Sequence, residues 1–164
     1  MPKVYLLLGG NLGNRTLYLQ QARESINQRV GSIAQTSKVY ETAAWGKTDQ
    51  PTFLNQVLEV ETMLSPEEVL QRINHIEQEL GRVRQEHWGA RVIDIDILFY
   101  NELVLQTQRL TIPHPQLHLR RFTLMPLAEI APDLVHPVLG QRIHVLLENC
   151  PDALEVKVFE EAAS

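Results

Sequence analysis

The chain has 164 residues, 44% of them hydrophobic, and its 20 acidic side chains outweigh 15 basic ones to give a formal net charge of −5. Such a length suits one domain with a substantial core, and the acidic balance argues against a general nucleic-acid binder. No apolar stretch reaches the roughly 18 residues of a membrane span, and the single cysteine, Cys150, excludes an internal disulfide or a cysteine metal cluster. A cytoplasmic location is expected, since Met1-Pro2-Lys3-Val4 runs into a strand pattern rather than a signal peptide.

Val4 to Leu8 reads as a buried strand, followed by the turn Gly9-Gly10-Asn11-Leu12-Gly13 and a helix from about Asn14 to Arg29. The turn matches neither the dinucleotide fingerprint nor a Walker loop, so it reads as a tight strand-to-helix connection. Gly46-Lys47-Thr48 ends like a Walker motif, but Glu41 stands where its first glycine would be. Ile33 to Glu41 and Phe53 to Leu64 read as strands joined by an irregular loop carrying Trp45. Ser65-Pro66-Glu67-Glu68 has the makings of a capping box, and Val69, Leu70, Ile73, Ile76 and Leu80 form the apolar stripe of a helix ending at Gly81. A strand follows over Val92 to Phe99. This order predicts an α+β fold with a ferredoxin-like split β-α-β core, an antiparallel sheet packed with helices in α/β/α layers. Beyond it the pattern predicts a strand near Leu103 to Leu105, a helical turn near Met125 to Ile130 and a helix near Gln141 to Glu148. Residues 1–159 are expected to form one domain, with 160–164 a frayed acidic tail.

Within the run Val92 to Phe99, Asp94 and Asp96 interrupt a strand otherwise suited to burial. Strand side chains alternate, which puts both carboxylates on one face, roughly 7 Å apart, and Ile93, Ile95, Ile97 and Phe99 on the other. A solvated polar face is the simple explanation; a divalent cation is the alternative, since Mg2+ takes carboxylate oxygens together with water and phosphates. The neighbours favour the cation. Arg82, Arg84 and Arg91 precede the pair, and from Leu103 to Ala128 there is no Asp or Glu, while Arg109, His114, His118, Arg120 and Arg121 fall there. Arginine forks match phosphate oxygens, so a polyphosphate with Mg2+ is the ligand these groups suit. Trp45 and Trp88 sit on polar connections from which they could close over a flat ligand.

Arg82-Val83-Arg84, Trp88-Gly89-Ala90-Arg91, Asp94-Ile95-Asp96-Ile97-Leu98 and Arg109-Leu110-Thr111-Ile112-Pro113-His114 together resemble the 6-hydroxymethyl-7,8-dihydropterin pyrophosphokinases, and the likeness spans nearly the whole chain. The resemblance implies transfer of diphosphate from ATP to the hydroxymethyl group of the pterin, giving AMP and the pterin diphosphate in folate biosynthesis. It implies Asp94 and Asp96 as ligands of two Mg2+ ions and, with Arg82 and Arg91, as catalytic residues. For the pterin it points to Thr42, Trp45, Phe53, Asn55, Trp88, Asp94, Arg120 and Phe122. For ATP it points to Leu70, Asn74, Glu77, Arg82, Arg84, Arg91, Ile97, Arg109, Thr111 and His114; helical spacing sets residues 70, 74 and 77 on one face. The expected partners are these two small substrates, without nucleic acid or membrane, and the expected state is a monomer. The chain departs from relatives at Ala43-Ala44, where prolines are common, at Phe53, often tyrosine, at His87, an arginine in some, and at Pro115, a tyrosine in some.

Two other readings share the fold. A polymerase-type nucleotidyltransferase would also pair aspartates on such a sheet but needs a basic groove. A nucleotide- or RNA-binding module would carry aromatics on its central strands, where this chain has aspartates.

Overall fold

The computed structural model describes residues 1–43, 51–81 and 92–160. Its elements run β1 (Lys3–Gly10), α1 (Arg15–Arg29), β2 (Ser32–Thr36), β3 (Tyr40–Thr42), β4 (Phe53–Glu61), α2 (Pro66–Gly81), β5 (Asp94–Tyr100), β6 (Leu105–Gln106), β7 (Thr111–Ile112), α3 (Arg121–Ile130), α4 (Ile143–Glu148) and β8 (Val156–Val158). The main sheet has the order β5-β1-β4-β3-β8, with β2 also on β4, and every pairing in it is antiparallel. β6 and β7 form a separate hairpin. This is the expected α+β arrangement, in which the sheet is covered on both faces.

Alternation along the strands divides the core in two. Val4, Leu6, Leu8, Leu54, Leu58, Ile95 and Ile97 face α1 and α2, while Tyr5, Leu7, Val57, Leu98 and Phe99 face α3 and α4. Leu6, Leu8, Leu54 and Leu58 are fully buried, and each such side chain contributes about 1.5–3 kcal/mol relative to exposure.

Local chemistry explains most boundaries. Asn14 caps α1 by accepting from the Leu17 N–H at 3.2 Å. The capping box at α2 forms as its sequence suggests: Ser65 N–H donates to Glu68 Oε1 at 3.0 Å and Glu68 N–H to Ser65 Oγ at 3.2 Å. The single strand expected over Ile33 to Glu41 is instead two, because the Ser37 hydroxyl replaces a backbone carbonyl in the ladder, accepting from Val57 N–H at 2.9 Å and donating to Lys38 O at 2.7 Å. β4 stops at Glu61, before the expected Leu64, where Thr62 Oγ1 turns aside to donate to Val30 O at 2.6 Å. The strand expected from Val92 starts at Asp94.

One expectation is overturned within β5. Register shifts between Tyr5 and Leu6, so that Tyr5 pairs with Phe99 and Leu6 with Ile97, leaving Leu98 as the extra residue of a bulge. Phe99 therefore joins Leu98 on the α3/α4 face rather than lying with Ile93, Ile95 and Ile97.

The later elements moved more. β6 begins at Leu105, where a strand was expected over Leu103 to Leu105, and α4 begins at Ile143, not Gln141. α3 begins at Arg121, well before Met125, because Asp152 Oδ2 accepts the Arg121 N–H at 3.0 Å from far along the chain. β7, a 3-10 turn at Leu117–Leu119, and β8 had no clear periodicity to announce them. Of the tail 160–164, residues 161–164 lie outside the described residues.

Candidate active site

Asp94 and Asp96 occupy β5, an edge strand, and their side chains share a face with Leu7 and Gly9 of β1. The register sets Asp94 opposite Gly9 and Gly9 opposite Asn55 of β4, so three strands contribute one row: carboxylate, glycine, carboxamide. The glycine lacks a side chain where one would stand between the two polar groups. A Cβ on Gly9 would collide with Asn55 Nδ2. One register step further out, Phe53 pairs with Thr42 of β3 on the same face.

Above this floor lies a cavity of about 590 Å³, walled by Gln116, Leu119, Arg120 and Phe122 and by Pro151, Asp152 and Leu154 of the C-terminal segment. That volume is in the range of small-molecule sites. Arg120 donates to Gln116 Oε1 at 2.6 Å, and its guanidinium lies 5.7 Å from the Phe122 ring centroid, a cation–π distance that holds both residues at the rim. The C-terminal wall is tied to α3 by Arg121, whose Nε donates to Asp152 O at 3.0 Å.

Two polar groups in the floor are almost inaccessible: Thr42 is 4% exposed and Asn55 5%. Thr42 Oγ1 has no hydrogen-bond partner among the described residues. A buried hydroxyl in that state costs about 1–3 kcal/mol, which a ligand with a complementary atom would recover.

The other candidates gather along the free edge of β5. α2 packs against that strand, and Glu77 Oε2 accepts the Ile95 N–H at 2.8 Å, fixing the backbone between the two aspartates. Leu70 is half-buried and Asn74 exposed on the same helix, and Ile97 is buried in the first core. On the opposite flank, β7 brings Thr111 beside β5, and His114 N–H donates to Leu98 O at 3.0 Å. Burial pushes the His114 imidazole below its usual value; Asp96 opposes this and Arg120 adds to it. Arg109 is exposed at the hairpin end.

Of the residues the resemblance implies, Thr42, Phe53, Asn55, Asp94, Asp96, Arg120 and Phe122 line one cavity. Trp45, Arg82, Arg84, His87, Trp88 and Arg91 lie outside the described residues. Sequence reading missed Gln116, Leu119, Pro151, Asp152 and Leu154. The only signal for the last three was a Pro-Asp pair near the C-terminus, which says turn and nothing of a cavity.

A profile described as 7,8-dihydro-6-hydroxymethylpterin-pyrophosphokinase (HPPK) matches residues 5–132. The chain belongs to the HPPK family. It is 45% identical over 138 residues to the 2-amino-4-hydroxy-6-hydroxymethyldihydropteridine pyrophosphokinase of Aquifex aeolicus, covering 84% of this chain and 86% of that protein. It is 43% identical to the protein of the same name from Haemophilus influenzae, covering 96% and 99%. Among solved structures, the wild-type HPPK-DHPS of Plasmodium falciparum with SDX-DHP superposes at a TM-score of 0.73 with 21% identity, over 91% of this chain and 43% of that one. The chain therefore spans less than half the length of that solved relative, and the likeness there is one of fold. The resemblance carried by the arginine, tryptophan and aspartate motifs is borne out by the family match.

Proposed function

We infer that this HPPK-family chain transfers the diphosphate of ATP to the hydroxymethyl group of 6-hydroxymethyl-7,8-dihydropterin, giving AMP and the pterin diphosphate, a step of folate biosynthesis. The observation that carries this reading is the row Asn55–Gly9–Asp94 beside a Thr42 hydroxyl that has no hydrogen-bond partner among the described residues. A flat heterocycle with donors and acceptors on its edge needs such a floor. Asn55 can donate to and accept from the ring edge, Thr42 can supply its buried hydroxyl, and Asp94 can accept. Phe53 and Phe122 offer apolar faces, Arg120 reaches over the rim, and Trp45 and Trp88 are assigned to the same pterin.

ATP is assigned to the β5 edge. Edge strands present backbone N–H and C=O groups outward, and those near Ile97 suit a nucleobase flanked by Leu70, Asn74, Glu77 and Thr111. Arg82, Arg84, Arg91, Arg109 and His114 are assigned to the phosphates. Burial lowers the His114 pKa in the free chain, which favours the neutral imidazole there and leaves the arginines as the permanent charges.

The carboxylates of Asp94 and Asp96 fit Mg2+. No group of three or more His, Cys, Asp or Glu among the described residues could hold a metal by itself, which suits an ion that keeps waters and completes its shell with phosphates. Two such ions, when bound, would neutralise the triphosphate. The hydroxyl oxygen attacks the β-phosphorus and its proton passes to water, the bond from that phosphorus to the oxygen bridging to the α-phosphate breaks, and that oxygen departs with AMP. Asp94 and Asp96 would hold the ions that position the phosphates, and Arg82 and Arg91 stabilise charge on the moving diphosphate. We further propose that residues 1–159 act as one domain, as a cytoplasmic monomer. No helix of the described residues is long and apolar enough to cross a membrane.

Phosphorus NMR with ATP, Mg2+ and the pterin, each omitted in turn, tests the reaction: AMP must form only when all are present. ADP formed without pterin would overturn the assignment.

A further inference from the structure

On the opposite face of the sheet from the candidate active site, a second cavity of about 700 Å³ lies between α1 and the strand edge. It is walled by Leu19 and Val39 and by Val158 and Phe159, with Asn14, Thr16, Gln20, Arg23, Lys38 and Gln56 as its polar groups among the described residues. Among the described residues, no Asp or Glu lines it. Its two cations come from different elements, Arg23 from the middle of α1 and Lys38 from the break between β2 and β3.

Arg23 is held in a defined place without being neutralised. Its Nη1 donates to Gln56 Oε1 at 2.7 Å, and the Gln56 amide is itself fixed by donating from Nε2 to Ser37 O at 2.7 Å. Gln56 is 6% exposed, so the amide is a rigid, uncharged anchor. Neither Arg23 nor Lys38 is ion-paired among the described residues. Glu24 is the carboxylate nearest in effect to Arg23, but it is exposed and accepts from Gln20 Nε2 at 3.2 Å. Burial pushes the Arg23 guanidinium below its usual value, with Glu24 partly opposing this, as expected of a cation that lacks a close anion.

We propose that this cavity is a second ligand site, which takes a small phosphate monoester with an apolar or aromatic body. Charge selects the ligand: two cations without an ion pair among the described residues match the −1.5 to −2 charge of a phosphate monoester near pH 7 better than the single charge of a carboxylate. Arginine's planar fork and lysine's point charge together suit a phosphate's oxygens. The Leu19, Val39, Val158 and Phe159 wall receives the body of the molecule, and the volume is that of a drug-sized ligand. β4 joins the two cavities directly, since Asn55 points into one and Gln56 into the other.

The test is a titration of the full chain with phenyl phosphate, followed by amide and side-chain 1H–15N NMR, with benzoate and benzyl alcohol as comparison probes. Saturable shifts are expected at Val39, Gln56, Val158 and the Arg23 Nε–H, with benzoate binding at least about tenfold more weakly and benzyl alcohol more weakly still. Lys38→Gln, which leaves the Arg23–Gln56 bond intact, should weaken phenyl phosphate about tenfold without changing the spectrum of the free protein, and Arg23→Gln should abolish the shifts. The proposal is overturned if the shifts appear only around Asn55 and Asp96, if benzoate binds as well as phenyl phosphate, or if Lys38→Gln leaves the affinity unchanged.

Discussion

Replacing Gly9 by alanine separates recognition from folding in a way few substitutions here can. Gly9 has no left-handed backbone requirement and lies within a strand, so alanine is conformationally acceptable. Its new Cβ would collide with Asn55 Nδ2, whereas the next atoms, Asn55 Cγ and Leu54 O, both stand at an ordinary 3.5 Å. The backbone can stay while the carboxamide must turn away. Strand glycine is about 0.5–1 kcal/mol less favourable than alanine, and that gain offsets the cost of displacing one side chain, leaving the melting temperature within a few degrees of the parent. If Asn55 makes two neutral hydrogen bonds to the pterin at roughly 1 kcal/mol each, their loss costs about 2 kcal/mol, or roughly thirtyfold in pterin Kd. Fluorescence titration of the pterin, with ATP affinity as the control, reads this directly. The variant should match Asn55→Ala in pterin Kd and retain parental ATP binding. A folded Gly9→Ala protein with parental pterin affinity would refute the assignment of Asn55 and the reading of the row as the binding floor.

Three further outcomes are expected. Asp94→Asn and Asp96→Asn keep side-chain size but remove charge opposite a dication, so Mg2+-dependent turnover should be nearly abolished with circular dichroism unchanged; full activity in either would remove it from the metal site. Thr42→Val deletes a buried hydroxyl without a partner among the described residues, so thermal stability should rise by about 1 kcal/mol or a few degrees while pterin binding weakens about fivefold, and a fall in stability would mean the hydroxyl is satisfied in the free protein. Burial, with His118 adding to it, holds the His136 imidazole below its usual value, and its Nδ1 accepts from Val138 and Leu139 N–H, both at 3.1 Å. The unfolded chain therefore binds the proton more readily, and stability is complete above the usual value of about 6.5 and lost as pH falls from there through the folded value. Melting temperatures between pH 5 and 8 should show this decline, and His136→Gln should flatten it; an unchanged slope would place the titration elsewhere.

What could be read beforehand was whatever local periodicity or capping chemistry encodes. The α2 capping box, the buried strand after Lys3 and the aspartate pair all rest on residues within a few positions of one another, and all stand where the sequence put them. The start of α3 was not legible because its first N–H is satisfied by Asp152, some thirty residues away. The division of β2 from β3 was hidden for a similar reason: a serine hydroxyl standing in for a carbonyl looks, in sequence, like any strand serine. In the site, Asp94 stood out from its strand pattern and Thr42, Asn55, Arg120 and Phe122 through the family resemblance, whereas nothing in the local pattern around Gln116, Leu119, Pro151, Asp152 and Leu154 reports a cavity.

The bulge at Leu98 shows why the aspartate strand works as half site and half core. Without it, strict alternation would send Phe99 to the face of α1 and α2. With it, the phase resets after Ile97: Asp94 and Asp96 open into the cavity at one end, while Leu98 and Phe99 both enter the α3/α4 core at the other. Phe99 there meets Tyr5 and His136 edge-on, with centroids 6.3 and 5.5 Å away, which anchors the strand end that carries no polar function. Leu98, left without a partner on β1, accepts the His114 N–H instead. That bond brings His114 within electrostatic reach of Asp96. One inserted residue thus pins the strand in the core and draws the histidine segment to the carboxylates, so deleting Leu98 should cost both stability and the geometry of the site, whereas a substitution such as Leu98→Ala, which keeps the bulge, should cost mainly stability, about 2–5 kcal/mol.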